Sequence, residues 1–477
     1  MPRFHTINFG CRASQADGAI LEAELCQRGF QAVPDPAQAN LVVLHSCTVT
    51  ATADAELRQI VRRIHRENPA AKILVTGCYA QRRPQELAAL PGVEWIVGNS
   101  HKSEIGELLT AECLPSHGQN QFVPLLQLLA GSPEQSLAVE YHSLGATLPA
   151  ASASFPLSGP KVLVGNIFAH TQFHTAPVFA GSALDRTRPN LKVQDGCNNR
   201  CSFCIIPAVR GRSRSLSLPD VLYHVRALAA MSYREVVLSG INLGRYGRDL
   251  PGKLRLAVLV QKILEETPLQ RLRLSSVEPM DFTDELLDRM ASSPRIARHV
   301  HAPLQSGSDR ILRRMHRRYH PHNYRDRILA AYRRMPDAAF GADVMVGFPG
   351  ETDEDFEQTR TLIESLPFTY LHVFPFSRRP DTPADTMPGQ VKGVVVRERS
   401  RILRELSAEK NRRFRERQLG RVLTVLTLEE TADSGTPCLS DNYLKVLIGG
   451  KRLPSNQLVS ARIVSLSENG LIGVYWM

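Results

Sequence analysis

The chain has 477 residues, a length that suits about three domains and excludes a single small module. Its 43% hydrophobic and 22% charged residues exclude a disordered or fibrous chain. Lys plus Arg number 58 against 47 Asp plus Glu, a net charge of +11 that suits a polyanionic partner, and there are nine cysteines to account for.

The chain opens Met1-Pro2-Arg3-Phe4-His5 and runs at once into a strand-like segment, without the apolar core of a secretory signal. No run of about 18 apolar residues occurs, so no membrane span is expected and the expected compartment is the cytoplasm. Thiols stay reduced there, and an odd cysteine count argues against a disulfide framework.

Residues 1 to about 112 repeat an apolar strand followed by an amphipathic helix. Phe4 to Phe9 reads as a strand, about 17 to 29 as a helix closed by Gly29, Leu41 to Leu44 as a second strand, and about 53 to 67 as a helix ending before Pro69. Lys72 to Thr76 is a third strand, and a helix from near Pro84 leads to a fourth at Trp95 to Val97. This alternation predicts a doubly wound parallel α/β sheet, whose ligands gather beyond the carboxyl ends of the strands. Cys11, Cys47 and Cys78 each follow one of the first three strands, whereas Cys26 falls within a helix. A single cysteine there is usually a compact buried hydrophobe. Three at equivalent strand ends converge on one rim and point to a metal or cluster site.

From about 113 to 190 the periodicity fades. Gly131 to Ser154 is rich in Ser, Ala, Pro and Gly and reads as a linker or loosely ordered insertion, with Cys113 as filler at its start. Six strands then alternate with helices: Leu191 to Gln194, Glu235 to Leu238, Arg271 to Leu274, His299 to His301, Asp343 to Val346 and Tyr370 to Phe374. Six such units predict a barrel or partial barrel with its site at the carboxyl ends of the strands. A basic helix over about 397 to 417 leads to short strands such as Val422 to Leu426 and Tyr443 to Ile448, which predict a small antiparallel β-barrel with Cys438 in a loop.

The sharpest motif is Gly196-Cys197-Asn198-Asn199-Arg200-Cys201-Ser202-Phe203-Cys204, directly after the first barrel strand. Structural zinc normally takes four protein ligands, and the eighteen residues that follow hold no fourth Cys or His. A four-iron, four-sulfur cluster on three cysteines leaves one iron open to an outside ligand. The spacing resembles the signature of radical S-adenosylmethionine (SAM) enzymes, with Phe203 at the usual aromatic position, and the six-unit region matches their partial (β/α)6 barrel. That resemblance implies SAM on the open iron, with Gly240, Glu278, Ser306, Asp343 and Gly347 as candidates for its pocket.

The order of the whole chain is similar to the radical SAM methylthiotransferases: a doubly wound parallel-sheet domain, a radical SAM barrel and a C-terminal β-barrel of TRAM type. The domain limits expected on this basis are 1–112, a linker or insertion at 113–186, 187–411 and 412–477. The family implies a second [4Fe-4S] cluster on Cys11, Cys47 and Cys78, with an open iron to carry sulfur. The segments around Cys47, Cys78 and Cys197 resemble the branch that acts on N6-threonylcarbamoyladenosine (t6A) at tRNA position 37, although Ser14 stands where that branch commonly has Asn and Ala208 where it has an aromatic residue. Rival substrates are isopentenyladenosine in tRNA and a ribosomal protein, and a non-enzymatic rival is an iron–sulfur RNA-binding protein. By family, one SAM methylates sulfur, a second yields a radical that takes hydrogen from C2 of the adenine, and the methylthio group is added there. The implied partners are the tRNA anticodon loop, a low-potential electron donor such as flavodoxin or ferredoxin, and a sulfur source, with no membrane and no DNA. Two stretches offer charge for RNA phosphates: 310–334, with nine Arg, and 397–421, with ten Lys or Arg against four Glu. Within the second, Arg412, Arg413 and Arg415 are the candidate RNA contacts.

Overall fold

The computed structural model describes residues 1–114, 159–170, 173, 187–429, 435–450 and 452–476. The Gly131 to Ser154 stretch lies outside them.

The N-terminal sheet contains β1 (Arg3–Asn8), β2 (Gln31–Ala32), β3 (Leu41–Ser46), β4 (Lys72–Gly77), β5 (Val93–Gly98) and β6 (Lys161–Leu163), all parallel, in the order β2-β1-β3-β4-β5-β6. Side-chain alternation buries both faces. Val42, Leu44, Ile73 and Val75 pack on Leu57, Val61 and Ile64 of the helix α2 (Ala51–Glu67). Leu41, Val43 and Leu74 pack on Leu21 and Leu25 of the helix α1 (Arg12–Gln27). The chain leaves β1 toward β2 on one side and returns to β3 on the other, so the crevice of the doubly wound sheet opens beyond the carboxyl ends of β1 and β3. The linker reading misses β6, which lies within 113–186 and extends this sheet. Three residues are too short for a periodicity to register.

The central half contains β7 (Asn190–Asp195), β8 (Arg214–Ser215), β9 (Glu235–Gly240), β10 (Arg271–Leu274), β11 (His299–His301), β12 (Ala339–Val346) and β13 (Tyr370–Pro375). Each of the six expected strands is present, and β8 adds a short antiparallel edge to β7. They form two sheets, β10-β9-β7-β8 and β11-β12-β13, around one continuous apolar core: an open, partial (β/α)6 barrel.

The C-terminal strands β14 (Val422–Thr427), β15 (Gly435–Ser440), β16 (Lys445–Gly449), β17 (Leu458–Leu466) and β18 (Leu471–Trp476) close into a five-stranded barrel. All its strand pairs are antiparallel except β16 with β18. Cys438 lies on β15 and is buried in this core, which corrects the loop expected for it. The small barrel docks on the amino-terminal ends of the central strands. Arg271 and Arg273 of β10 both pair with buried Glu235 of β9, at 2.5 and 2.7 Å, and extend onto backbone carbonyls of Thr424, Leu439, Ser440 and Asp441. Arg421 pairs with Asp337 at 2.7 Å beside the start of β12.

Candidate site where two cysteine trios face each other

Cys11, Cys47 and Cys78 follow β1, β3 and β4, neighbours in the sheet, so the topology gathers them at the crevice. Gly10 has φ +93°, and a Cβ on it would stand 2.5 Å from the Cβ of Cys47, so a glycine there lets Cys47 approach. Cys78 opens the helix α3 (Cys78–Arg82). Its first turn is held by Ser46, whose Oγ accepts hydrogen bonds from Tyr79 N at 3.1 Å and Ala80 N at 3.3 Å. Burial pushes the Cys47 thiol up to about 12, with Cys78 and Cys11 adding to the rise. The Cys78 thiol is raised by burial against the opposing pull of Arg210. Asn99 Nδ2 donates to the Cys78 sulfur at 3.6 Å and to Val209 O at 2.9 Å.

Arg210 is fully buried and comes from the barrel half. It pairs with Asp17 at 3.0 Å and Asp195 at 2.9 Å, and Nη2 lies 3.4 Å from Ser14 Oγ. Ser14 also lies 3.9 Å from the Cys11 sulfur, so the position that departs from the expected Asn belongs to this site. Around the two carboxylates stand Lys102, Lys192 and Arg214 as well, four cations against two anions. Buried charge is costly unless matched. The cysteine trio is the neighbouring donor set that becomes anionic on binding metal.

Asp195 ends β7, and its Oδ1 accepts the N–H of Gly196 at 2.8 Å. Gly196 has φ +67°, and a Cβ there would meet Arg212 O at 2.0 Å. The loop that follows holds Cys197, Cys201 and Cys204, each half-buried. Donors surround the sulfurs: Asn199 N at 3.4 Å and Asn242 Nδ2 at 3.7 Å from Cys197, and Arg317 Nη1 at 3.4 Å from Cys201. Burial raises the Cys204 thiol to about 12, reinforced by Cys201 and Cys197. Phe203 packs edge-on against Phe348, with centroids 6.4 Å apart.

The remaining candidates divide. Gly240 and Glu278 border the cysteine loop. Gly240 lies beside Gln194, which accepts the N–H of Asn242 at 2.6 Å, and Glu278 pairs with Arg317. Asp343 points into the barrel interior, 3.1 Å from His301 and 3.2 Å from His372. Ser306 and Gly347 build loops instead. Ser306 Oγ accepts from Ser308 N at 3.1 Å and lies 3.3 Å from Thr359 Oγ1, while Gly347 donates to Glu351 at 2.7 Å. Arg412 and Arg413 share Glu409, at 3.0 and 2.7 Å, and Arg415 donates to the carbonyls of Ser467, Glu468 and Gly470. The 310–334 stretch is largely committed too: Arg310 to Asp355, Arg327 and Arg334 to Asp284, and Arg317 to the site itself.

Zinc on a trio needs its ligands close together, since each sits about 2.3 Å from the ion. Among the described residues, the His, Cys, Asp or Glu trio whose ligand atoms all lie within 4.8 Å of one another is His301, Asp343 and His372. Neither cysteine trio is drawn that tight.

The sequence model of the Radical SAM superfamily matches residues 191–363, and that of Uncharacterized protein family UPF0004 matches residues 3–98. The threonylcarbamoyladenosine tRNA methylthiotransferase MtaB of Aquifex aeolicus is 35% identical over 92% of this chain and 94% of its own. The Bacillus subtilis protein of the same name is 32% identical over 97% and 93%. The tRNA-2-methylthio-N(6)-dimethylallyladenosine synthase of Carboxydothermus hydrogenoformans is 30% identical over 86% and 85%. A solved radical S-adenosylmethionine methyltransferase, TsrM from Kitasatospora setae, shares the fold with a TM-score of 0.51 at 17% identity, covering 80% of this chain and 74% of that one. The parallel-sheet domain, the partial barrel behind a Cys-x3-Cys-x2-Cys loop, and the near full-length match place this chain in the MtaB family of radical SAM methylthiotransferases.

Proposed function

We propose that the protein adds a methylthio group to C2 of t6A at position 37 of tRNA. The observation that carries this reading is that two cysteine trios come together, Cys78 packing on Ile205 next to Cys204 beside one buried charge cluster, in a chain that matches enzymes named for this reaction along nearly their whole length. Cys197, Cys201 and Cys204 would hold the radical SAM [4Fe-4S] cluster, and Cys11, Cys47 and Cys78 an auxiliary one. When bound, these clusters and SAM supply the radical and the methylthio group.

The chain's own residues place and shield that chemistry. Asn242, Asn199 N–H and Arg317 direct hydrogen bonds at the first-loop sulfurs, which favours the thiolate form and tunes a metal centre through its sulfurs. Glu278 fixes the Arg317 guanidinium, and Gly240 lets Gln194 close in on the end of β9, where it holds the Asn242 N–H. Arg210 couples the two trios mechanically, touching Asp17 on one side and Asp195 on the other. That coupling fixes the two trios relative to each other, which is what positioning a reaction at one ring carbon requires. The assignment of residues 1–112 to the auxiliary site, 187–411 to the SAM barrel and 412–477 to RNA binding belongs to this reading. So do a low-potential electron donor of the flavodoxin or ferredoxin kind and a separate sulfur source. No helix among the described residues is long and apolar enough to cross a membrane.

The test is an anaerobic reaction of reconstituted protein with SAM, a strong reductant and tRNA that carries or lacks t6A. The reading predicts methylthiolation of the t6A-bearing tRNA alone. Replacing Cys197, Cys201 and Cys204 with Ala abolishes 5′-deoxyadenosine formation, and replacing Cys11, Cys47 and Cys78 spares it while stopping sulfur insertion. Absence of 5′-deoxyadenosine from the wild-type protein rejects the enzyme reading in favour of a cluster carrier.

A further inference from the structure

A polar wall in the barrel interior is used by neither cysteine trio. Parallel pairing sets His301 beside Gly341, Gly341 beside Tyr370, and Asp343 beside His372, so His299, His301, Asp343, Tyr370 and His372 share one face of the β11-β12-β13 sheet. Gly341 is small because the Tyr370 ring fills its place: a Cβ there would lie 2.1 Å from a ring carbon. The Tyr370 hydroxyl bridges His299 Nε2 at 2.7 Å and His301 Nδ1 at 2.9 Å. Asp343 is the carboxylate of this chain of contacts, and two imidazoles, His301 and His372, already face it.

The C-terminal barrel and the N-terminal domain both enter this wall. Tyr443 stacks on His299 with ring centroids 4.5 Å apart, and its hydroxyl accepts a hydrogen bond from Arg12 Nη2 at 3.1 Å. Tyr443 holds φ +66°, a conformation that costs an aromatic residue energy and persists where the surroundings fix it. Arg12 directly follows Cys11, and Asn190 of the barrel fixes its backbone carbonyl at 2.7 Å. Among the described residues Arg12 has no carboxylate partner; its guanidinium lies half-buried against a phenol, next to imidazoles and a second tyrosine. A permanently charged planar fork in such a place is matched best by a carboxylate.

We propose that Arg12, oriented by Tyr443, binds the carboxylate of the threonylcarbamoyl substituent and thereby selects t6A. The inference rests on the reading above that t6A is the substrate. The threonylcarbamoyl group brings one carboxylate, one hydroxyl and a urea to the base, and the wall offers a guanidinium, phenols and imidazoles. A dimethylallyl group on the same nitrogen is uncharged, and against it Arg12 would be desolvated without a partner.

The test compares anticodon stem-loops carrying t6A, its uncharged threoninamide counterpart or plain adenosine at position 37. Affinities are measured by fluorescence anisotropy on cluster-loaded wild-type, Arg12→Gln and Arg12→Lys proteins. Wild type is expected to prefer the acid over the amide by roughly tenfold or more, the scale of a charge-assisted hydrogen bond. Arg12→Gln binds acid and amide equally, at the wild-type affinity for the amide, and Arg12→Lys regains part of the preference. An Arg12→Gln protein that keeps the acid preference overturns the proposal, and so does one that loses affinity for both stem-loops alike, as a phosphate contact or a packing role would produce. Wild type binding plain adenosine as tightly as t6A rejects the substrate reading itself, whatever Arg12 does.

Discussion

Single atoms decide whether the N-terminal trio forms. Gly10 combines φ +93° with a Cβ direction that points 2.5 Å from Cys47, so Gly10→Ala is both strained and blocked by backbone-anchored atoms. The expected outcome is loss of about half the bound iron, with 5′-deoxyadenosine formation retained; iron analysis beside the SAM cleavage assay checks it. Asp17 and Asp195 share four cations, so either carboxylate keeps a partner when Arg210 is removed, whereas removing a carboxylate strands buried cations. Asp195→Leu is therefore expected to destabilise the protein by about 3 to 5 kcal/mol in urea unfolding, and Arg210→Met by less. In metal-free protein the thiols of Cys47 and Cys204, both pushed up to about 12 chiefly by burial, stay protonated at neutral pH. Iodoacetamide is therefore expected to label exposed Cys11 well before either of them, read by peptide mass spectrometry.

At the level of elements, the two barrels are joined through a carboxylate between two arginines. Burial works to raise the Glu235 carboxyl, but Arg273 and Arg271 outweigh it and bring it from 4.5 down to about 2. A depressed carboxyl contributes stability that is fully present above its unfolded value and is lost as the pH falls through the folded one. The contribution, on the order of 3 kcal/mol, is expected to fade between about pH 4.5 and 2. Urea midpoints at pH 5 and pH 3 check this: the drop is large in wild type and smaller in Glu235→Gln. The elements themselves were readable in the sequence where periodicity was long enough. The six central strands and the cysteines after β1, β3 and β4 stand where the apolar runs end. What was not readable is short or distant in the chain. Strands β6 and β8 carry three and two residues, and Arg317 reaches Cys201 across 116 positions, hidden in what reads as a charged run.

Across the whole molecule, the N-terminal and central domains meet at the charge cluster beside the cysteine trios, and all three domains meet at the barrel interior, where Arg12, His299 and Tyr443 each come from a different domain. The 58 Lys and Arg are less available to RNA than their number suggests, since much of the arginine is paired or holds carbonyls. Of the three arginines singled out on the basic helix, Arg413 keeps the most exposed side chain, at 70%, and Arg415 anchors the turn between β17 and β18. Arg413→Glu is accordingly expected to weaken tRNA binding and flatten its salt dependence, whereas Arg415→Glu acts through stability. The central claim is that this chain, through two cysteine trios, methylthiolates t6A. It is tested most directly by mass spectrometry of tRNA nucleosides from a strain lacking the protein and from the same strain supplied with wild-type or cysteine-replaced chains. The account predicts unmodified t6A in the deletion strain, 2-methylthio-t6A restored by the wild-type chain, and no restoration by either trio variant. Persistence of 2-methylthio-t6A in the deletion strain, or its restoration by a trio variant, would contradict it.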